Sequence, residues 1–460
     1  VRLPTNDALA ALGGTVVHRE RLPATIAIST DTRAIRPSHT FLALRGERFD
    51  GHRFVEEAVR AGASAAIVED AAALPAGCAG IVVGDTVQAY LALARVARAR
   101  LRGAVVAITG STGKTTTKQF LARALAAAGV PAIATPENEN NEIGVAKFLL
   151  SLDDGDARIA IVEMGARKYR DLDVLVAAAQ PDVAILTNVG DAHLEIMGSR
   201  ERLAETKWGI FGSGARAVLN LADAASRERA AMLPAAPMWC GIDAERPPAG
   251  APGAIVRLEN VLVLDGTATR AIPFHVDVPG DHNRRNLAAA LAAAALLGAD
   301  LAAIAAAAPT FATPAGRYER IALPDDITLI YDAYNASMSG ALATLATFAR
   351  ERATRRIAVL GSMAELGADA PAMHRRVGAA AADAADIVLV GGAFADDLAA
   401  GAADAGLDAH ALVPYVDNDH AVAWLRANAH AGDVVLLKGS RMYRMEHIVA
   451  GLQPVRGADA

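Results

Sequence analysis

Cysteine is nearly absent: Cys78 and Cys240 lie far apart in 460 residues and match no metal-ligand or redox spacing. This excludes a disulfide scaffold or a cysteine zinc site and fits a reducing, cytoplasmic setting. Aromatic residues are scarce at 4%, so few rings are present on which bases could stack, and 45 basic against 51 acidic residues give a net charge of -6. Both features disfavour nucleic acid as a main partner. Long apolar runs are also missing. The nearest candidate, residues 287–308, is mostly alanine and is interrupted at Gly298-Ala299-Asp300, which predicts two packed helices and no membrane insertion. The opening VRLPTNDALAALGG has no basic segment followed by an apolar run, so it does not read as a secretory signal. No fixed-period repeat runs through the chain.

What is present is an alternation of strands and helices. At 53% hydrophobic and 21% charged residues the chain can bury several cores, and its length suits about three domains. Residues 1–84 mix short strands and helices, with Pro23, Pro37 and Gly46 as punctuation. Residues 85–313 carry continuous apolar runs at 105–109, 158–163, 183–187 and 217–220, the pattern of strands buried on both faces of a parallel sheet. A capped helix is expected at Asp281-His282-Asn283. Residues 314–460 repeat the alternation, with strands near 328–331, 357–360, 387–390 and 434–437 and helices beginning near Ser337, Pro371 and Val422. The expectation is an α/β protein of three domains: a small α/β domain, a central parallel-sheet domain of phosphate-loop type, and a Rossmann-like C-terminal domain.

The sharpest chemical signal is TGSTGKTT, comprising Thr109, Gly110, Ser111, Thr112, Gly113, Lys114, Thr115 and Thr116, set between a strand and a helix. Glycines let backbone amides turn onto phosphates, the helix N-terminus adds positive potential, Lys114 neutralises outer phosphates and Thr115 can hold Mg²⁺. Only the shorter G-x-x-G-K-T is present, because the first glycine of the full pattern would fall at Ile108. Such a loop implies a nucleotide and leaves the reaction open. Glu163 ends the run RIAIVE, where a carboxylate can reach a metal ion, and His193 follows the next strand in TNVGDAHLE.

With these motifs in order, the chain resembles the Mur ligases, ATP-dependent enzymes that form amide bonds in peptidoglycan synthesis. The resemblance is carried by TGSTGKTT, E-M-G at 163–165, TNVGDAHLE, ETKWGIF with Lys207, VLNLAD, GDHNRRN at 280–286 and PAGRYE at 314–319. Within the family, NENNEIG at 138–144, DAYNAS at 332–337, GSMAELG at 361–367 and LKGSRMYRME at 437–446 are similar to the members that add D-alanyl-D-alanine to UDP-N-acetylmuramoyl-tripeptide. The D-N-P-R signature of the preceding ligase is absent. Ser362 stands where the family commonly has an acid, and Met338 where it often has proline.

The resemblance implies a UDP-sugar domain, an ATP domain and a domain closing over the amine. It implies ATP with two Mg²⁺ ions, held by Thr115, Glu163, His193 and a carbamylated Lys207. It places Asn286 near adenine, Arg317 and Asp332 on the nucleotide from the third domain, and Lys438, Ser440 and Arg441 near the dipeptide or tripeptide carboxylates. It places Thr30, Asp31, Thr32 and Arg33, with Asn138, Asn140 and Asn141, on the substrate side. Read without the family, TDTR is a helix cap and turn, Asn220 ends a strand, and Lys207 is a solvated helix lysine. A monomer is expected. Two other readings share the ATP half: a folylpolyglutamate synthetase-like ligase, and a nucleotide-dependent switch that binds a partner.

Overall fold

The computed structural model describes residues 1–46, 49–136, 139–153, 159–190, 194–243, 245–248, 255–258, 261–265 and 268–453. Three main sheets organise them. In the first, the parallel strands Thr25–Ser29, His39–Leu42, Ala65–Val68 and Gly80–Val82 are flanked by antiparallel Leu3–Pro4 and Thr15–Val17.

The second sheet is built on Ala104–Thr109, which pairs in parallel with Ile159–Glu163 on one side and Val183–Leu186 on the other. Arg216–Asn220 and Met238–Gly241 continue it, and Ile255–Leu258, Val261–Asp265 and Ala268–Ile272 finish it with an antiparallel meander. The apolar run of the central strand follows from burial on both sides. Val105 and Ala107 enter one core with helices Thr86–Arg100, Glu142–Ser151 and Asp171–Ala179, while Val106 and Ile108 enter another with Lys114–Ala127 and Asp281–Leu296. Each fully buried Val, Leu or Ile in such a layer contributes roughly 1.5–3 kcal/mol.

The third sheet places Glu319–Leu323 antiparallel to Ile327–Tyr331, followed in space by Val434–Lys438, Arg356–Gly361, Ile387–Gly391 and Leu412–Pro414, all parallel. The chain is thus α/β with three domains, two of them doubly wound. Because ligands in such sheets meet the carboxyl ends of strands, Thr109, Glu163, Asn220 and Lys438 already lie on functional edges.

Several elements differ from expectation. The helix expected near Val422 is Asn418–Asn428, because the Asp417 side chain accepts from His420 N and starts it earlier. Helix Ala395–Asp404 and strand Leu412–Pro414 were not anticipated: the first has a single large apolar residue, Leu398, among alanine, aspartate and glycine, and the second is only three residues long. The helix at Asp281 has no side-chain cap, Gly280 standing at that position, and Asn283 Nδ2 instead donates to Pro279 O at 3.1 Å. The alanine-rich stretch forms parts of Asp281–Leu296 and Leu301–Ala307, separated by Gly298 at φ 74° and by Asp300, which caps the second helix. Among the described residues no helix is long and apolar enough to cross a membrane.

Candidate active site

The phosphate loop needs glycine at two points. Gly110 has φ 151°, and a Cβ there would lie 1.9 Å from Thr187 Oγ1; Gly113 has φ 82°, and its Cβ would meet Asn286 Oδ1 at 2.3 Å. Any side chain at either place collides with the wall of the site. Helix Lys114–Ala127 begins directly after Gly113. Lys114 Nζ folds back to donate to Gly110 O at 2.7 Å and Ser111 O at 3.4 Å, so the ammonium sits inside the loop. Thr115 is half-buried and Thr116 buried on the same turn.

Residues 187–190 form the loop's cradle. Thr187 Oγ1 donates to Thr112 O at 2.6 Å, and Asn188 Nδ2 donates to Thr112 Oγ1 at 2.9 Å while its Oδ1 accepts from Thr112 N at 3.2 Å. Gly190 N donates to Ser111 Oγ at 2.9 Å, and Thr109 Oγ1 ties the strand to Met164 O at 2.8 Å. Asn220 Nδ2 holds Thr187 O at 2.8 Å, so this residue braces the cradle besides ending its strand. Asn188 was not singled out from sequence; its signal is an Asn at a strand's carboxyl end beside the loop strand.

Glu163 is 2% exposed. Asn140 Nδ2 donates to its Oε1 at 3.0 Å, and Lys118 Nζ lies 3.1 Å from its Oε2. Lys118, one helical turn beyond Lys114, is anchored by donation to Thr135 O at 2.8 Å. Its contact with Oε2 is a charge contact and not an aligned hydrogen bond, which leaves that buried oxygen with lone pairs available. Sequence reasoning missed Lys118, although its i,i+4 spacing from Lys114 was visible. Removing one partner of a buried ion pair costs about 3–5 kcal/mol, so Lys118→Met should lower the urea midpoint by a corresponding amount. A midpoint equal to that of the parent protein would remove the pair's structural role.

Lys207 lies in helix Arg200–Trp208, capped by Ser199, and is 1% exposed. It is therefore not a solvated surface lysine. Burial, and then the Lys114 cation, hold its ammonium well below the usual lysine range, with Asp171 opposing. Among the described residues no carboxylate lies within ion-pair distance of it. An amine so placed is readily neutral.

The third domain brings Arg317 into the electrostatic field of Lys114 and Glu163; burial lowers its affinity for a proton, and Asp332 raises it. Its guanidinium carbon lies 4.1 Å from the centre of the Tyr334 ring. Asp332 and Lys438 are engaged with one another. Lys438 Nζ pairs with Asp332 Oδ2 at 3.0 Å and donates to Asp332 O and Asn335 O, while Asp332 also accepts from Tyr318 N and Thr344 Oγ1. Ser440 is buried, its amide donating to Ser362 O, and Arg441 is exposed, 3.3 Å from Glu446. Asn286 packs on Gly113 of the loop.

On the first domain, Asp31 caps the short helix Thr32–Ala34 and is gripped by Arg33 at 2.9 and 2.7 Å. That side-chain hydrogen bonding, with the Arg33 amide, lowers its pKa to about 2. Thr32 Oγ1 donates to Glu57 at 2.8 Å. Asp31 also feels Lys147, which lies on the helix capped by Asn141. The turn at 30–33 therefore lies within electrostatic reach of the helix that Asn141 caps. His193 and Asn138 lie outside the described residues.

A phosphate loop at the end of a parallel strand, a buried carboxylate and lysine beside it, and an arginine supplied by a second α/β sheet together describe a nucleotide-dependent ligase. The chain belongs to the Mur ligase family: residues 26–107 match the model of the Mur ligase family catalytic domain, 108–294 the Mur ligase middle domain and 316–441 the Mur ligase glutamate ligase domain. Its particular likeness is to UDP-N-acetylmuramoyl-tripeptide--D-alanyl-D-alanine ligases. The Synechocystis sp. enzyme of that name is 35% identical, covering 92% of this chain and 91% of that one. A crystal structure of MurF from Acinetobacter baumannii superposes with a TM-score of 0.84 at 28% identity, covering 98% of this chain and 99% of that one. MurF from Thermotoga maritima, solved in complex with ADP, gives 0.76 at 28% identity over 92% and 96%.

Proposed function

We propose that this protein joins D-alanyl-D-alanine to UDP-N-acetylmuramoyl-tripeptide at the expense of ATP, as a cytoplasmic monomer supplying peptidoglycan precursor. The observation that carries the reading is a G-x-x-G-K-T phosphate loop beside a buried carboxylate and lysine, in a chain that resembles such ligases along nearly its whole length. Residues 1–84 take the UDP-sugar, 85–313 the ATP, and 314–460 close over the amine.

A carboxylate resists attack by an amine, so one of its oxygens first attacks the γ-phosphorus and ADP departs. The amine then attacks the carbonyl carbon of the acyl phosphate, loses a proton, and inorganic phosphate leaves. Bringing a carboxylate to a polyphosphate is opposed by like charge. Lys114 offsets it by moving from the carbonyls of Gly110 and Ser111 to the outer phosphates, and Arg317 meets them from the third domain. Asn286 and Asp332 set the shape of the nucleotide site by holding Gly113 and the Tyr318 turn. Ser440 and Arg441 face the incoming dipeptide, Lys438 holds their strand end, and Thr30–Arg33 with Asn138, Asn140 and Asn141 meet the UDP-sugar.

The residues suit Mg²⁺. Glu163 Oε2 is buried without a hydrogen bond, Thr115 lies in the first turn of the helix that follows the phosphate loop, and a carbamate on Lys207 would add anionic oxygen, the donor a hard cation prefers. Thr115, Glu163, His193 and carbamylated Lys207 would hold two ions. When bound, these screen the phosphates and polarise the transferred group.

Mass spectrometry of a reaction containing UDP-muramoyl-tripeptide, D-alanyl-D-alanine, ATP and Mg²⁺ should show the pentapeptide product with one ADP and one phosphate per bond. ATP consumption without a joined product, with either a lysine- or a diaminopimelate-containing acceptor, would overturn the assignment.

A further inference from the structure

Tyr334 has no part in the scheme above, yet two arginines meet its ring. It follows the strand Ile327–Tyr331, in the turn leading to helix Met338–Phe348. The guanidinium carbon of Arg317 is 4.1 Å from the ring centre and that of Arg441 is 5.7 Å from it. Both lie inside the roughly 6 Å range of a cation–π contact, and among the described residues no other ring takes two cations. The backbone joins the same pieces. Tyr334 N donates to Gly316 O at 3.4 Å, and a Cβ on Gly316, whose φ is 68°, would lie 3.5 Å from Tyr334 Cβ and 3.3 Å from Tyr331 Cε1. The turn carrying Arg317 is thus pressed onto the tyrosine.

Arg317 has no ion-pair partner at salt-bridge distance among the described residues. A long, flexible side chain in that position loses much rotamer freedom when it engages phosphate, unless something orders it beforehand. The ring is the surface that does so. Arg441, the second cation on the ring, lies on the side assigned above to the acceptor.

We propose that Tyr334 is a positioning residue for the ligation: its ring holds Arg317 toward the phosphate loop and, through Arg441, ties that orientation to the acceptor side. This rests on the ligase reading given above. The ring acts through its face, so a phenylalanine ring should serve the same positioning role.

Steady-state kinetics of Tyr334→Leu, Tyr334→Phe, Arg317→Lys and the Leu/Lys double variant test it. A partly desolvated cation–π contact corresponds to about a 3- to 30-fold change in rate. Tyr334→Leu should lower kcat by about tenfold on that scale, with the KM for UDP-muramoyl-tripeptide unchanged, because that substrate is gripped mainly by the first domain. Tyr334→Phe should recover kcat to within about threefold, and adding Tyr334→Leu to Arg317→Lys should cost less than about twofold. Should the leucine variant fail to fold, Tyr334→Met takes its place in the cycle. A leucine variant within twofold of the parent kcat, a phenylalanine variant as slow as leucine, or full additivity in the double variant would each overturn the proposal. An inactive parent enzyme would instead overturn the ligase assignment.

Discussion

Lys114→Ala should reduce ADP formation by about a thousandfold, the upper range for loss of one preorganised charge donor at a transferring group. The ammonium is held inside the loop by the carbonyls of Gly110 and Ser111. Those are neutral acceptors, so an incoming phosphate oxygen outcompetes them without any other charge having to move. The neighbouring cations cannot replace it. Lys118 is committed to Glu163 and Thr135 O, Lys207 is buried and held toward its neutral form, and Arg317 approaches from the third domain. Loss of Lys114 also removes a cation that keeps Lys207 neutral, so both halves of the reaction should fail together. ADP release measured with all substrates present checks this, and turnover within tenfold of the parent would end the loop assignment.

Lys207→Ala should lose most activity, on the order of a hundredfold or more, and regain part of it with added formate or acetate. The reasoning begins from charge. A protonated Lys207 would place a buried cation beside Lys114 with no carboxylate in ion-pair reach among the described residues, which is costly. Carbon dioxide attacks only the neutral amine, and burial together with Lys114 favours that form. A carbamate formed there would reverse the sign of the side chain. In the alanine variant, a small carboxylate can occupy the vacated volume and restore the anionic oxygen. The pH dependence has a definite sign: the neutral amine is lost as pH falls through the lowered pKa, so carbamylation and activity decline on the acid side. A mass increase of one carbon dioxide on Lys207 in intact protein, or ¹³C-labelled carbamate seen by NMR, provides a readout independent of turnover. A fully active alanine variant would defeat the idea and leave the ligase assignment standing.

The sequence made the central sheet legible because its strands are buried on both faces, and that leaves uninterrupted apolar runs such as VVAIT and RIAIVE. The phosphate loop was legible because its function demands glycine at fixed places. Other contacts depend on residues distant in sequence meeting in space. Lys118 reaches Glu163, Asn188 reaches Thr112 and Tyr334 reaches Arg317 and Arg441 only after the sheets are assembled. Asp332 was singled out for the nucleotide and Lys438 for the acceptor carboxylates, and a sequence cannot reveal that these two charges, 106 residues apart, pair with one another. Helix Ala395–Asp404 escaped because Leu398 is its only large apolar side chain, the rest of its buried face being Gly401 and Ala402.

Helix Thr86–Arg100 has a mechanical consequence. Its Leu93, Ala94 and Ala97 share one continuous core with Ile26 and Ile67 of the first sheet and with Val105 and Ala107 of the second, whereas the third sheet is filled by cores of its own. The first two sheets are therefore one fused block through a common helix, and the third is a separately filled block that carries Arg317 and Arg441, while Lys114, Glu163 and Lys207 belong to the fused pair. A change in the spacing of these two groups of residues would then come from a rigid-body displacement of the third block against the other two.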